Sequence, residues 1–159
     1  MAIPAGTLAA CTTCVGLSAD GATYTDYSTY VTVLEPPEQT RTSGQIAVLG
    51  NDTMIINVGK REPLNITVRG VYVDSTATTN PFSLLYTAWT TSCGGPMFVR
   101  WAPAGCTTSN QVFGTGTATT DQSELISLTF PGGDSGSGDP LTWQAVIFAP
   151  VIYRAVYAA

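Results

Sequence analysis

Histidine is missing altogether from this 159-residue chain, and charge of either sign is scarce. Six Lys and Arg stand against eleven Asp and Glu, 11% of the sequence together, for a formal net charge of -5. An average soluble domain is roughly one-quarter charged. Without histidine the commonest general base is gone, and with it the Ser-His-Asp and Cys-His nucleophile systems and every His-containing zinc site. The basic residues are only Arg41, Lys60, Arg61, Arg69, Arg100 and Arg154, spread along the chain. A protein that grips nucleic acid through its phosphates needs them dense, so that class is close to excluded. Long apolar runs are absent too. The best candidate, residues 145–152, contains Pro150 and falls far short of the ~18 residues that a membrane helix needs. The opening MAIPAGTLAACTTC has no basic segment and only a short, broken apolar stretch, so it reads poorly as a signal peptide. We expect a soluble protein made in the cytosol. Aromatics at 9% and the modest charge argue against disorder.

Four cysteines remain to be placed. Cys11 and Cys14 form a C-x-x-C, with Cys93 and Cys106 far downstream. A four-cysteine zinc site wants a second close pair, and Cys93 and Cys106 are too far apart to supply one. A thioredoxin-like site wants the motif between a strand and a helix, whereas the turn-rich GLSADGAT follows it here. Cys93 and Cys106 flank one short strand and can face each other as a disulfide or lie under one loop. Buried thiols, one or two disulfides and a metal all stay open for Cys11, Cys14, Cys93 and Cys106.

The other candidate sites are weaker than their plain structural readings. The loop PGGDSGSGDP holds Asp134 and Asp139 but puts glycines where a calcium loop needs oxygen ligands. Asn51-Asp52-Thr53 and Asn65-Ile66-Thr67 match the glycosylation pattern as coincidences of a Thr-rich chain. Glu35 and Glu38 straddle Pro36-Pro37 as solvated charges beside a rigid turn, and Lys60-Arg61-Glu62 reads as a charged hairpin end. No Gly-rich loop leads from a strand into a helix to cradle phosphate. We expect no catalytic residue, no metal, no cofactor and no enzyme activity.

What is present is strand and turn chemistry, with sixteen Gly, ten Pro and threonine throughout. Residues 1–27 lack periodicity and read as an arm. STYVTVLE alternates, with Tyr30, Thr32 and Leu34 on one face, and Pro36-Pro37 ends it. EQTRTSGQ reads as an exposed polar loop within a protruding segment over 35–50. IAVLG and MIINVG form a hairpin about Gly50-Asn51-Asp52-Thr53. LNITVRGVYVD is the clearest strand, with Leu64, Ile66, Val68 and Tyr72 in phase and Gly70 as a bulge. Asn80 followed by Pro81 is the one helix start, and Phe82, Leu85, Tyr86 and Trp89 follow at helical spacing. Its face Phe82, Leu85 and Trp89 is expected in the core. MFVRWA, QVFG and ELISLTF are strands, the last with Leu125, Ser127 and Thr129 opposed to Ile126, Leu128 and Phe130. LTWQAVIFAPVIYRAVY closes the chain as one or two strands. One helix, near 81–91, among seven or more strands gives a mainly β (α+β) antiparallel sandwich in a single domain.

This order of elements resembles the tail tube proteins of long-tailed bacteriophages, and among them the short major tail proteins of siphophages. The matching segments are EQTRTSGQIAVLGNDTMIINVGKREPLNITVRG, NPFSLLYTAWTT and GDPLTWQAVIFAP, within a pattern running from Ser28 to Tyr153. The resemblance implies a β-sandwich or barrel-like tube domain with one flanking helix, six copies per ring, and rings stacked into a hollow tube that DNA traverses. It implies a loop reaching neighbouring subunits, which maps onto Gln39, Arg41, Ser43 and Gln45. It also implies partners in the tape measure, tail terminator and distal tail proteins, a virion location, and no membrane. The low charge, the four cysteines and the Thr-rich residues 107–120 depart from the pattern. A negative net charge suits a conduit, since it discourages DNA from sticking to the wall. A head decoration or head–tail joining protein is the alternative within a virion. A secreted β-sandwich adhesin or carbohydrate-binding module is the alternative outside one.

Overall fold

A computed structural model describes residues 12–36, 38–46, 55–75, 77, 79–91, 94–116, 122–133 and 136–157. In chain order these form β1 (Cys14–Ser18), β2 (Thr25–Asp26), β3 (Val31–Glu35), β4 (Arg41–Ile46), β5 (Ile55–Arg61) and β6 (Leu64–Val71). The helix α1 (Pro81–Thr90) follows, then β7 (Phe98–Ala102), β8 (Gln111–Gly114), β9 (Glu124–Gly132), β10 (Thr142–Ala149) and β11 (Tyr153–Val156). Strands β11-β8-β7-β1-β2 make one antiparallel sheet and β3-β6-β10-β9 another, while β4 and β5 form a separate ribbon. The two larger sheets share one core, with Val15, Leu17, Val99 and Trp101 from the first against Ile66, Val68, Ala145 and Ile147 from the second. This is the mainly β, single-helix architecture that the sequence predicts.

The centre of the second sheet is the pair β6 and β10, in unbroken register from Leu64 opposite Ala149 to Val71 opposite Thr142. The alternation of Leu64, Ile66 and Val68 meets Ala149, Ile147 and Ala145 on the same buried face. The next pair on that face is Gly70 with Trp143. The indole is 1% exposed, and its Nε1 donates to the Val71 carbonyl at 3.1 Å. A methyl group on Gly70 would intrude into the ring and come 2.7 Å from the Tyr30 carbonyl oxygen. Gly70 is therefore the floor under Trp143, and it also marks a bulge, whose extra residue is carried by the neighbouring strand. The irregularity lies opposite, on β3, between Val31 and Val33. Thr32 is thereby pushed outward, and Val31 and Leu34 both pack on the core.

A second irregularity reverses the expected faces of β9. Its register against β10 shifts between Val146 and Ile147, so Leu125 and Leu128 both point inward. Ile126 and Phe130, expected with Leu128, are exposed. An extra residue resets the period of two, which alternation alone does not announce.

The helix spans Pro81–Thr90, with Asn80 as N-cap accepting from the Phe82 amide at 3.1 Å. The Asn80 amide also donates to the Val73 and Ser75 carbonyls, at 2.6 and 2.7 Å, which ties the helix start to the end of β6. Pro81, Leu85 and Ala88 are buried. Trp89 lies about 100° round the helix from Ala88 and falls off that stripe, so it is exposed rather than in the core. Phe82 is only partly buried.

The arm expected over 1–27 is body from Cys14 onward. β1 is buried along its whole length, pairs with β7, and contributes Val15 and Leu17 to the core. Cys14 is bonded to Cys106, across a Cα–Cα distance of 5.5 Å and 92 residues of sequence. Cys106 thus pairs with Cys14 and not with Cys93. Cys11 and Cys93 lie outside the described residues, as do Asn51-Asp52-Thr53 and Asp134.

Trp143→Ala should cost about 3–5 kcal/mol of stability by opening a cavity between the sheets. Urea denaturation followed by circular dichroism measures this, and a loss under 1 kcal/mol would refute the placement. Closing so long a loop is worth about 4–5 kcal/mol in the chain-entropy account. The Cys14→Ala/Cys106→Ala variant should therefore melt well below the oxidised parent and close to the parent in reductant.

Candidate functional site

Of the residues predicted to reach a neighbouring subunit, Arg41, Ser43 and Gln45 stand on β4, paired in order with Arg61, Val58 and Ile56 of β5. The polar segment read as a loop is thus one strand of the ribbon. Strand formation is set here by the partner, since the alternating residues 41–44 and 58–61 all stand in solvent and carry no one-faced apolar pattern. Residues 41–44 and 58–61 are all exposed, and Val58 is 66% exposed. At the base, the Thr40 hydroxyl donates to the Glu62 carboxylate at 2.7 Å and Arg41 Nη1 donates to the Gly59 carbonyl at 3.3 Å. Gln39 precedes the ribbon, and its Nε2 is buried without a hydrogen-bond partner. Two strands alone are marginally stable in water, so the ribbon has the character of an element waiting for a surface.

The second feature is the outward face of the five-stranded sheet, which sequence reading missed. Arg100 of β7 has Gly16 of β1 and Gly114 of β8 as its cross-strand neighbours. Two adjacent glycines leave space for the guanidinium to lie along the sheet. It stacks between the rings of Tyr24 and Tyr157, at 4.4 and 4.7 Å from their centroids. Burial raises the Tyr24 phenol above its ordinary pKa, and the Arg100 charge pulls in the opposite direction. Around this cation lies a concavity of ≈390 Å³ lined by Val112, Phe113, Gly116, Tyr153 and Val156. Arg69 is the contrasting case. It meets Glu35 at 3.9 Å and donates from Nε to Gln144 Oε1 at 2.7 Å. Both arginines stand within strands, and among the described residues Arg69 is the one with a carboxylate in ion-pair range.

The turn that carries Tyr24 is held by Asp20. One carboxylate oxygen accepts from the Ser18 hydroxyl at 2.8 Å and from the Ala22 and Thr23 amides at 2.9 and 2.8 Å. The Thr23 amide contributes most, and together these donors hold the carboxyl at about 2. Gly21, at φ 73°, supplies the left-handed residue that lets the chain turn over the carboxylate.

A third surface is aromatic. Tyr86 and Phe130 are about half exposed, with ring centroids 6.2 Å apart, and Trp89 is 42% exposed on the same helix. For metals, the described residues bring together Cys14, Asp26 and Cys106. Both sulfurs are committed to the disulfide, and Asp26 accepts from the Ser28 amide and hydroxyl. Glu35 is engaged with Arg69, and Asp139 closes a small turn with Ser137 at 2.8 Å. Neither carboxylate is joined to a second one. Among the described residues no helix is long and apolar enough to cross a membrane.

No protein-family model matches the chain, and no curated protein sequence matches it. Solved structures do. A chain of the PVC sheath–tube complex of an extracellular contractile injection system, in the extended state, superposes with a TM-score of 0.67 at 12% identity, covering 96% of this chain and 93% of that one. A chain from the anti-feeding prophage tube-terminating cap gives 0.70 at 13%, covering 98% and 95%. One from the six-fold symmetrised anti-feeding prophage baseplate gives 0.66 at 10%, covering 100% of both. The chain therefore has a fold found in phage-tail-like injection machines, across essentially its whole length. The first of these is a chain of a contractile system, and none of the three is described as a siphophage protein.

The Asp20 turn makes stability depend on acid. Its pKa lies below the unfolded value of about 4, so its contribution is complete above pH 4 and is lost as pH falls through about 2. Asp20→Asn should destabilise the protein at pH 7, with the deficit relative to the parent shrinking as pH is lowered from 4 to 2. Thermal melts across that range measure it, and a pH-independent deficit would contradict the assignment.

Proposed function

We propose that this protein is a structural tail-tube subunit of a phage or phage-derived particle, closing six-fold rings that stack into a hollow conduit for DNA. The observation that carries this reading is the β4–β5 ribbon, a solvent-exposed two-stranded element on a sandwich whose fold is shared with chains of tube, cap and baseplate assemblies. In this reading the ribbon lies on the next ring and gains there the packing that it lacks alone. Gln39, Arg41, Ser43 and Gln45 are the contacting residues, and Gln39 Nε2 finds its acceptor on the neighbour. The role is architectural and needs no catalytic group. The net charge of -5 fits a lumen that DNA passes without adhering. The siphophage assignment rests on the sequence resemblance. The shared fold with cap and baseplate chains favours a second reading, in which the ring sits at one end of the tube and is not repeated along its shaft.

The test removes the ribbon. Residues 42–60 are replaced by a short Gly-Ser turn that joins Arg41 to Arg61, which are paired across the base. The variant should melt like the parent and still form rings, yet fail to stack, as seen by negative-stain microscopy. Tubes of normal length from the variant would overturn the stacking role. A parent that forms rings and never tubes would favour the end-ring reading.

A further inference from the structure

We propose that the outward face of the five-stranded sheet is a docking groove for a second copy of this chain, and that Arg100 there receives a carboxylate from that copy. This deepens the ring reading and rests on it.

The argument begins with an unsatisfied cation. Arg100 Nε is buried and has no hydrogen-bond partner. From Nη2 the guanidinium makes a long contact, to the Tyr157 hydroxyl at 3.4 Å. Among the described residues no carboxylate stands within ion-pair distance of it, although Arg69 on the neighbouring sheet has one. Stacking on Tyr24 and Tyr157 fixes the plane of the guanidinium but leaves its Nε donor without an acceptor. A fixed, half-desolvated fork of N–H groups matches a carboxylate, which accepts two parallel bonds.

The identity of the occupant follows from charge and from the surroundings of the site. The chain carries eleven acidic residues against six basic ones. Every described Asp and Glu is exposed, and Glu35 is the described carboxylate that holds an ion pair. A second copy therefore brings surplus carboxylates on its surface. The wall of the groove is also the edge of the sheet. Among the described residues the strand paired with β11 is β8, and on β11 Val156 is 58% exposed. Natural edges are usually blunted by lysine, proline or a covering element, and β11 carries only Arg154. One segment laid along this edge would cover Val156 and fill the apolar concavity while its carboxylate reaches Arg100. A nucleic acid fits poorly, because a lone guanidinium between two rings contributes a small counterion-release effect.

The experiment measures the concentration at which the protein assembles, by sedimentation and negative stain, for the parent, Arg100→Lys and Arg100→Met. Met keeps the length of the side chain and removes the charge, while Lys keeps the charge and loses the fork. Thermal melts establish that each variant folds. Assembly by Arg100→Met should need roughly tenfold or more protein, with Arg100→Lys in between. Unchanged assembly by a folded Arg100→Met refutes this inference and leaves the ring reading intact. A parent that stays monomeric at every concentration refutes the ring reading and this inference with it. Should Arg100→Met not fold, a photo-crosslinking residue at position 156 in the otherwise native chain decides. A mixture of isotopically light and heavy chains should then give light–heavy crosslinks to a peptide containing Asp or Glu. Crosslinks only within one chain, to another molecule, or to a peptide without acid would overturn the proposal.

Discussion

The indole of Trp143 lying on bare backbone at Gly70 is the contact on which the rest of the sandwich depends. It sits at the end of the longest unbroken ladder, where β6 and β10 have run eight residues in register. The ring fills the space that a side chain at position 70 would take, and its N–H is satisfied by the Val71 carbonyl, so burial of a polar atom carries no penalty. Beyond that pair the β3 strand must bend to keep clear, and its irregularity between Val31 and Val33 is opposite Gly70. The helix follows from the same place. The chain leaving β6 is held by the Asn80 amide at the Val73 and Ser75 carbonyls, which sets where Pro81 begins the helix. One large residue opposite one absent side chain thus positions a strand, a turn and a helix.

The first sheet is organised by a different device, the disulfide between Cys14 and Cys106. It joins the start of β1 to the loop after β7, strands already adjacent in the sheet. Around it lies a small apolar cluster of Cys14, Ala102 and Val112, separate from the main core. That cluster is on the outward side, where a monomer would ordinarily carry polar residues. Glycines 16 and 114 and the tyrosine-clamped Arg100 continue the same face. A sheet apolar on both sides is what an antiparallel sandwich shows when its second face is also covered.

The strands that can be read from the sequence are those where one face is buried and the register is unbroken. Leu64, Ile66 and Val68 alternate cleanly because both neighbours of β6 are present and their partners on β10 match them. Asn80-Pro81 is legible because capping is local chemistry and needs no partner strand. Alternation alone puts Leu125 and Leu128 on opposite faces, because the bulge depends on how β9 meets β10, which is information between strands. The same holds for Cys14 with Cys106, and for β4, whose strand character comes from β5. Arg100 illustrates the limit most sharply. Its neighbours Gly16 and Gly114 become meaningful only when β1, β7 and β8 are laid side by side in register. Two glycines and two tyrosines separated by most of the chain give no pattern along it.

Charge poverty, the oddest feature of the composition, acquires a physical reading from these surfaces. Charged groups are expensive to bury unless paired, so in the proposed assembly, where several faces would be covered by copies of the chain, carrying few of them is an advantage. The basic residues that remain are not scattered at random. Arg41 and Arg61 face each other at the base of the ribbon, with Lys60 beside them, Arg69 is paired with Glu35, and Arg100 and Arg154 belong to the sheet with the apolar outer face. Five of the six thus sit on the ribbon or the groove-bearing sheet, at positions with no carboxylate in ion-pair range among the described residues. Unpaired cations at two separate surfaces of an acidic chain are complementary to the acidic remainder of a neighbouring copy. In the proposed tube that arrangement would let each subunit attract the next at defined points while the ring as a whole stays negative toward DNA. The selectivity then comes from where the few positive charges stand, and the repulsion from how many negative ones are left over.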